Sequence, residues 1–249
     1  MDETVKTLKC YHDGKEIYGQ LYLPKDLDKK VPMVIISHGY GGNYQYSAVY
    51  AKYLVQQQIA CYVFDFCGGS PDSKSSGTMT EMSVLSEKAD LLSVIDMIKE
   101  LDFVDQKQIY LLGESQGGFV SMLAVLERTD DIKGMILFYP ALVIPDDARK
   151  KFPKGSNIPE VINHIGYQIG RNYYLDILDM DCFEAIQGFK KDVLIIHGTK
   201  DSLVPIDYSR KAKEIYPHAK LIEIDGADHG FKGQDLQFAL LKTAEFITK

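Results

Sequence analysis

A chain of 249 residues, 45% of them hydrophobic, is long enough to bury one large core, and α/β folds commonly reach this length as a single unit. Its 35 acidic residues outnumber 28 basic ones, for a net charge of -7. That balance argues against a dedicated nucleic-acid or anionic-membrane binder, which needs clustered Lys and Arg to neutralise phosphates.

The first ten residues, MDETVKTLKC, contain acidic side chains and no apolar h-region, so they do not read as a secretory leader. No apolar run approaches the roughly 20 residues that span a bilayer, and the expected residence is cytoplasmic. Residues 5–25 alternate around a turn signal at Asp13-Gly14, which predicts an antiparallel hairpin on the edge of a sheet. Six short apolar runs then read as parallel strands buried on both faces: 31–39, 59–66, 108–115, 132–140, 192–201 and 219–229. Helical periodicity lies between them at 46–58, 85–101, 118–128, 207–216 and 235–248, so the fold class is α/β. In the second helix Leu85, Ala89, Leu92, Ile95 and Ile98 or Met97 return at three- and four-residue steps and predict the buried face. The alternation breaks over 141–188, a stretch richer in Pro, Asn, Tyr and charge. It reads as an inserted cap between core segments 1–140 and 189–249. Cys10, Cys61, Cys67 and Cys182 form no CxxC and read as reduced thiols, Cys61 in the core.

Within YLLGESQGGF, Ser115 follows a predicted strand and opens a predicted helix. A bare Gly-x-Ser-x-Gly arises by chance, but strand, sharp turn and helix together are the context of a nucleophile elbow. Gly113 and Gly117 fit there because side chains at those positions would meet the neighbouring strand and helix. The turn places the N–H of Gln116 at a helix start, where it can face a developing negative charge. A serine needs a base, and the base needs an acid to hold its tautomer. Asp201 in HGTKDSLVP and His229 in DGADHGF each follow a strand. Asp225 and Asp228 lie close to His229 in sequence, but adjacent side chains rarely present the right geometry, so Asp201 is the expected acid. His197 reads as a support for the Asp201 loop, and His12, His164 and His218 as surface or cap residues. A metal site from His38, His197, Asp201 and His229 lacks any HxH, HExxH or CxxC spacing. GYGGN lacks the GK[ST] ending of a P-loop and no GxGxxG occurs, so no metal and no cofactor are expected.

HGYGGN, FDFCGGSPDS, GESQGG, HGTKDSLVP and GADHGF stand in the order of an α/β-hydrolase serine esterase, which the chain resembles over nearly its whole length. It is most similar to the small bacterial cinnamoyl or feruloyl esterases, with their SQGG elbow and short inserted cap. The resemblance implies an α/β-hydrolase fold with a mostly parallel sheet, the triad order Ser115, Asp201, His229, and a second oxyanion donor in the N–H of Tyr40. It also implies cofactor-free hydrolysis of hydroxycinnamate esters, with phenolic hydroxyls bound by Asp147 or its neighbour Asp146 and by Tyr174 or Tyr173. Read as ordinary residues, the aspartates start a cap helix and the tyrosines pack. Glu114 departs from the His that many of these esterases carry before the nucleophile, and its charge needs a partner or solvent. Other readings are a short-chain or monoacylglycerol-type esterase, a peptidase of the same fold, and a ligand-binding protein that has lost catalysis. The expected partner is a small ester; a homodimer is compatible with the sequence, which marks no interface.

Overall fold

The computed structural model describes residues 4–25, 27 and 29–249, so Met1, Asp2 and Glu3 of the leader reading lie outside the described residues. Strands β1 (Thr4–His12) and β2 (Lys15–Leu23) form the antiparallel hairpin, with His12 opposite Lys15. Asp13 and Gly14 take φ of 46° and 78°, the left-handed pair whose twist matches the strands of a two-residue hairpin.

The chain then runs through β3 (Val31–Ser37), α1 (Tyr44–Val55), β4 (Ala60–Phe64), α2 (Val84–Lys99), β5 (Val104–Glu114), α3 (Ser115–Ala124) and β6 (Gly134–Phe138). Between β6 and the next sheet strand come α4 (Ile144–Lys151), a small hairpin of β7 (Val161–His164) and β8 (Tyr167–Gly170), and the single turns α5 (Asn172–Leu175) and α6 (Cys182–Ala185). The core resumes with β9 (Asp192–Gly198), α7 (Asp207–Ile215), β10 (Ala219–Ile224) and α8 (Gly233–Ile247).

The main sheet has the order β1-β2-β4-β3-β5-β6-β9-β10 and is parallel from β4 to β10, with β2 antiparallel to β4. From β3 the chain steps first to β4 on one side and later to β5 on the other. This reversal opens a crevice at the carboxyl ends of β3 and β5, where parallel sheets assemble their sites. Met33, Ile35, Leu111, Met135 and Ile195 pack on the face that includes α2 and α3. Val34, Ile36, Leu112, Ile136 and Ile196 alternate with them and pack against α1 and α8. Both faces are therefore apolar, which is why these strands read as unbroken hydrophobic runs. Cys10, Cys61, Cys67 and Cys182 are buried free thiols. No helix among the described residues is long and apolar enough to cross a membrane.

The buried face of α2 keeps Ile95 and Ile98 of the expected stripe but otherwise differs from it. Val84, Glu87, Leu91, Val94 and Ile98 point inward together with Asp90 and Ile95, while Leu85 is exposed. Two carboxylates on the inner face displaced the apparent apolar stripe, because periodicity counts them as polar and assigns them to water.

Candidate active site

Ser115 sits where β5 turns into α3, with φ of 51°, a left-handed backbone uncommon for a residue with a side chain. The turn is tight. A Cβ at Gly113 would lie 2.4 Å from the Gly117 carbonyl oxygen, and one at Gly117 would lie 2.3 Å from that of His38. Glycine at both positions allows β5, α3 and the end of β3 to close around the serine.

The loops after β9 and β10 bring two more side chains to Ser115. His229 Nε2 is 3.0 Å from Ser115 Oγ, and His229 Nδ1 is 2.8 Å from Asp201 Oδ2. The Asp201 side chain has no solvent exposure. Its other oxygen accepts the N–H groups of Leu203 and Val204 at 2.9 and 2.8 Å. Burial works to raise the Asp201 pKa, but hydrogen bonds from His197, His229 and the Val204 N–H outweigh it and hold the carboxyl well below the usual range. His197 is itself buried, 3.1 Å from Asp201 Oδ2, with its other ring nitrogen 2.7 Å from Ser209 Oγ. Asp228 points elsewhere: its carboxylate accepts from the Ser202 N–H and hydroxyl and from the backbone N–H of His229. An ionised Asp201 holding Nδ1–H leaves Nε2 free to accept the serine proton, the arrangement that general-base activation of a hydroxyl requires.

Gln116 and Tyr40, the expected oxyanion donors, line the same cavity as the serine. Gln116 lies in the first turn of α3, where N–H groups have no intrahelical acceptor. Tyr40 lies in the loop after β3, which packs so closely that a Cβ on Gly39 would be 3.1 Å from Ser115 Cβ. His38 pins that loop. Its Nδ1 bonds the Gly39 carbonyl at 2.8 Å, its Nε2 accepts the Phe66 N–H at 3.1 Å, and burial pushes its pKa down to about 4.

Glu114 has partners the sequence did not disclose. Tyr50 and Tyr139 donate their hydroxyls to its Oε2 at 2.5 and 3.1 Å, and the Gly39 N–H also bonds its carboxyl. Burial raises its pKa against these three donors. The residue before the serine thus fastens the Gly39 loop to the elbow. Tyr139 also lays its ring 4.6 Å from that of His229.

The Gln116 side chain joins the elbow to α2 and to the inserted segment. Its Nε2 donates to Glu87 at 2.8 Å, and its Oε1 accepts from the Tyr173 hydroxyl at 2.6 Å. Burial pushes Glu87 up to about 8, partly countered by Gln116. The folded chain therefore keeps this carboxyl protonated at neutral pH, whereas an unfolded chain releases the proton near pH 4.3. This contribution to stability is full below that value and declines as pH rises toward 8. Glu87→Gln, which keeps an acceptor for Gln116 and cannot ionise, should gain melting temperature relative to the parent as pH is raised from 5 to 8.5. A constant difference across thermal melts in that range would mean that Glu87 is ionised in the fold.

A cavity of 220 Å³ opens between Ser115 and the inserted segment. Ala141, Val143, Ile144 and Val204 give it apolar walls, and Asp147, Lys151, His164 and Tyr174 give it polar groups. The Tyr174 hydroxyl lies 3.0 Å from both Lys151 Nζ and His164 Nδ1. Asp147 is exposed and pairs with Lys150 at 3.1 Å. The other two cap candidates are engaged differently. Asp146 does not line the cavity; it accepts from Arg149 at 2.5 Å and from the hydroxyl of Tyr208 on α7, clasping the insertion to the core. Tyr173 lines the cavity with its ring, but its hydroxyl is committed to Gln116. His164, expected at the surface or in the cap, packs its ring 5.1 Å from that of Tyr40. The roles of Glu87, Tyr139 and Tyr50 went unread because none belongs to a recognisable motif and each bonds a partner 25 or more residues away.

Residues 28–175 match the family model described as serine aminopeptidase, S33. The chain belongs to this α/β-hydrolase family. Among solved structures, this α/β-hydrolase is similar to Est1E from Butyrivibrio proteoclasticus with ferulic acid bound. The TM-score is 0.88 and the identity 29%, over 97% of this chain and 98% of that one. It is 26% identical to the uncharacterized protein YfhR of Salmonella typhi, over 87% of this chain and 71% of YfhR. A monoglyceride lipase of Rattus norvegicus is 25% identical over 53% of this chain and 41% of the lipase.

Proposed function

We propose that this α/β-hydrolase is a serine carboxylesterase acting on small esters, with a hydroxycinnamate-type acyl group held in the cavity beneath the inserted segment. The observation that carries this reading is the unbroken hydrogen-bonded chain from Ser115 through His229 to Asp201, opening directly onto that cavity.

His229 Nε2 takes the proton of Ser115 as Oγ attacks the ester carbonyl. The tetrahedral oxyanion is held by the N–H groups of Gln116 and Tyr40, aided by the start of α3. His229 then protonates the leaving alcohol, and water repeats the sequence on the acyl-enzyme to release the acid. Asp201 keeps the imidazole in one tautomer and stabilises its cation. Est1E with ferulic acid bound supports an aromatic acyl group, and so does a cavity in which apolar walls are combined with Asp147 and Tyr174.

The test is a comparison of methyl ferulate with p-nitrophenyl butyrate. Asp147→Ala should lower kcat/KM for ferulate about tenfold, the cost of one lost hydrogen bond to a charged group, and change the butyrate by less than about twofold. Equal losses would remove Asp147 from phenol binding. The apolar walls and the monoglyceride lipase relative favour an aliphatic acyl group as the second reading, and a clear preference for a monoacylglycerol in the same assay would establish it.

A further inference from the structure

A second groove, of 510 Å³, meets the first cavity at the serine. Ser115, His229, Tyr40, Ile165 and Leu203 line both, whereas Gln116 lines only the first and Gly230, Phe231 and Leu236 only the second. We propose that this groove is the subsite for the leaving alcohol and that it takes an apolar alcohol rather than a sugar. The proposal rests on the esterase reading above.

An ester spanning Ser115 must place its two halves in two spaces. The half bearing the leaving oxygen has to lie where the imidazole can protonate it. The second groove is walled by the loop that carries His229, continuing through Gly230 and Phe231 into α8, and so provides that space. Its floor is the Tyr139 ring, 4.6 Å from that of His229 and 4.7 Å from that of Phe231. Val49, Tyr46 and Leu236 add apolar surface.

The polar inventory decides the class of alcohol. Glu114 is already bonded by Tyr50, Tyr139 and the Gly39 N–H. Of the four tyrosine hydroxyls lining the groove, those of Tyr50 and Tyr139 are committed to Glu114 and that of Tyr40 to the His164 carbonyl; beyond these, Tyr46, Glu114, His229, Lys232 and Ser115, the described lining is glycine, aliphatic or phenylalanine. A sugar site needs fixed carboxylate, amide or guanidinium partners for several hydroxyls, since an unpaired hydroxyl held against apolar walls is costly. Here the surface around the mouth is apolar and open to water: Tyr46 is 66% exposed, Val49 45%, Leu203 59% and Ile165 67%. Ile165 is the most telling of these. It occupies the β7–β8 turn at φ 46°, a conformation that disfavours a β-branched side chain and suits Asn or Gly. The strain is tolerated at the one residue of that turn that walls both spaces.

The test uses methyl, hexyl and arabinosyl esters of ferulic acid, with methyl and hexyl butyrate in parallel. Within each acid the acyl-enzyme is common, so differences in kcat/KM report the alcohol alone. Burial of a methylene is worth roughly fourfold, so the hexyl ester should exceed the methyl ester by about tenfold or more in either series, with no gain from arabinose. Val49→Asp and Leu236→Asp should each shrink the hexyl-to-methyl ratio to below about threefold. A ratio near one, a preference for the arabinosyl ester, or a ratio that survives both substitutions overturns the proposal; the wild-type series alone decides it if a variant fails to fold. A flat series from enzyme that still labels with a serine-directed phosphonate condemns the groove only. No turnover and no labelling condemn the esterase reading and the groove together.

Discussion

Ser115→Ala is expected to lower kcat for any ester substrate by about four orders of magnitude or more, and to abolish covalent labelling by a fluorophosphonate. The residual rate should still exceed that of water, because the N–H groups of Gln116 and Tyr40 remain. Stability should change little. Alanine keeps the Cβ that already occupies φ 51°, so the elbow is neither relieved nor strained further. Single-turnover assays of the purified variant, with circular dichroism to verify the fold, check this. Near-parental turnover would show that the hydroxyl is not the nucleophile.

Asp201→Asn should cost about 10³- to 10⁴-fold in kcat with a smaller change in KM, for a reason visible in its contacts. One carboxylate oxygen accepts two backbone N–H groups, and the other faces His229 Nδ1 and His197 Nε2. Whichever way an asparagine amide is turned, its NH₂ meets donors. Either the Leu203–Val204 turn loses its acceptor or His229 is driven to the wrong tautomer. A buried donor left unpaired adds about 1–3 kcal/mol of instability, so the melting temperature should fall as well. Asp228→Asn provides the control. Its carboxylate serves backbone and Ser202 rather than the imidazole, and kcat should stay within about tenfold of the parent. A reversal of the two results would move the acid from Asp201 to Asp228.

Most of the sheet could be read from the chain because burial on both faces erases alternation: each of the six runs overlaps one parallel strand, although β5 starts earlier, at Val104, and the edge strand β10 is only partly buried rather than covered on both faces. Ser115, Asp201 and His229 could be picked out because each directly follows or closely trails a strand and sits among turn residues. Side chains that act at a distance left no such trace. Glu87 looks like a surface residue in an amphipathic helix, and its burial follows only from Gln116 and Tyr173 meeting it in space. Asp146 and Asp147 are indistinguishable as neighbours in sequence, yet one faces Tyr208 and the other the cavity. One step of helix rotation, about 100°, separates those fates.

The Tyr173 hydroxyl, the Gln116 amide and the Glu87 carboxyl form one buried line from the inserted segment through the elbow into α2. The segment between β6 and β9 is therefore not an interchangeable cassette. Grafting a foreign insertion with no hydroxyl at that point would strand the Gln116 amide oxygen beside Ser115. A chimera built to alter substrate choice would inherit a loosened scaffold unless Gln116 and Glu87 were exchanged along with it.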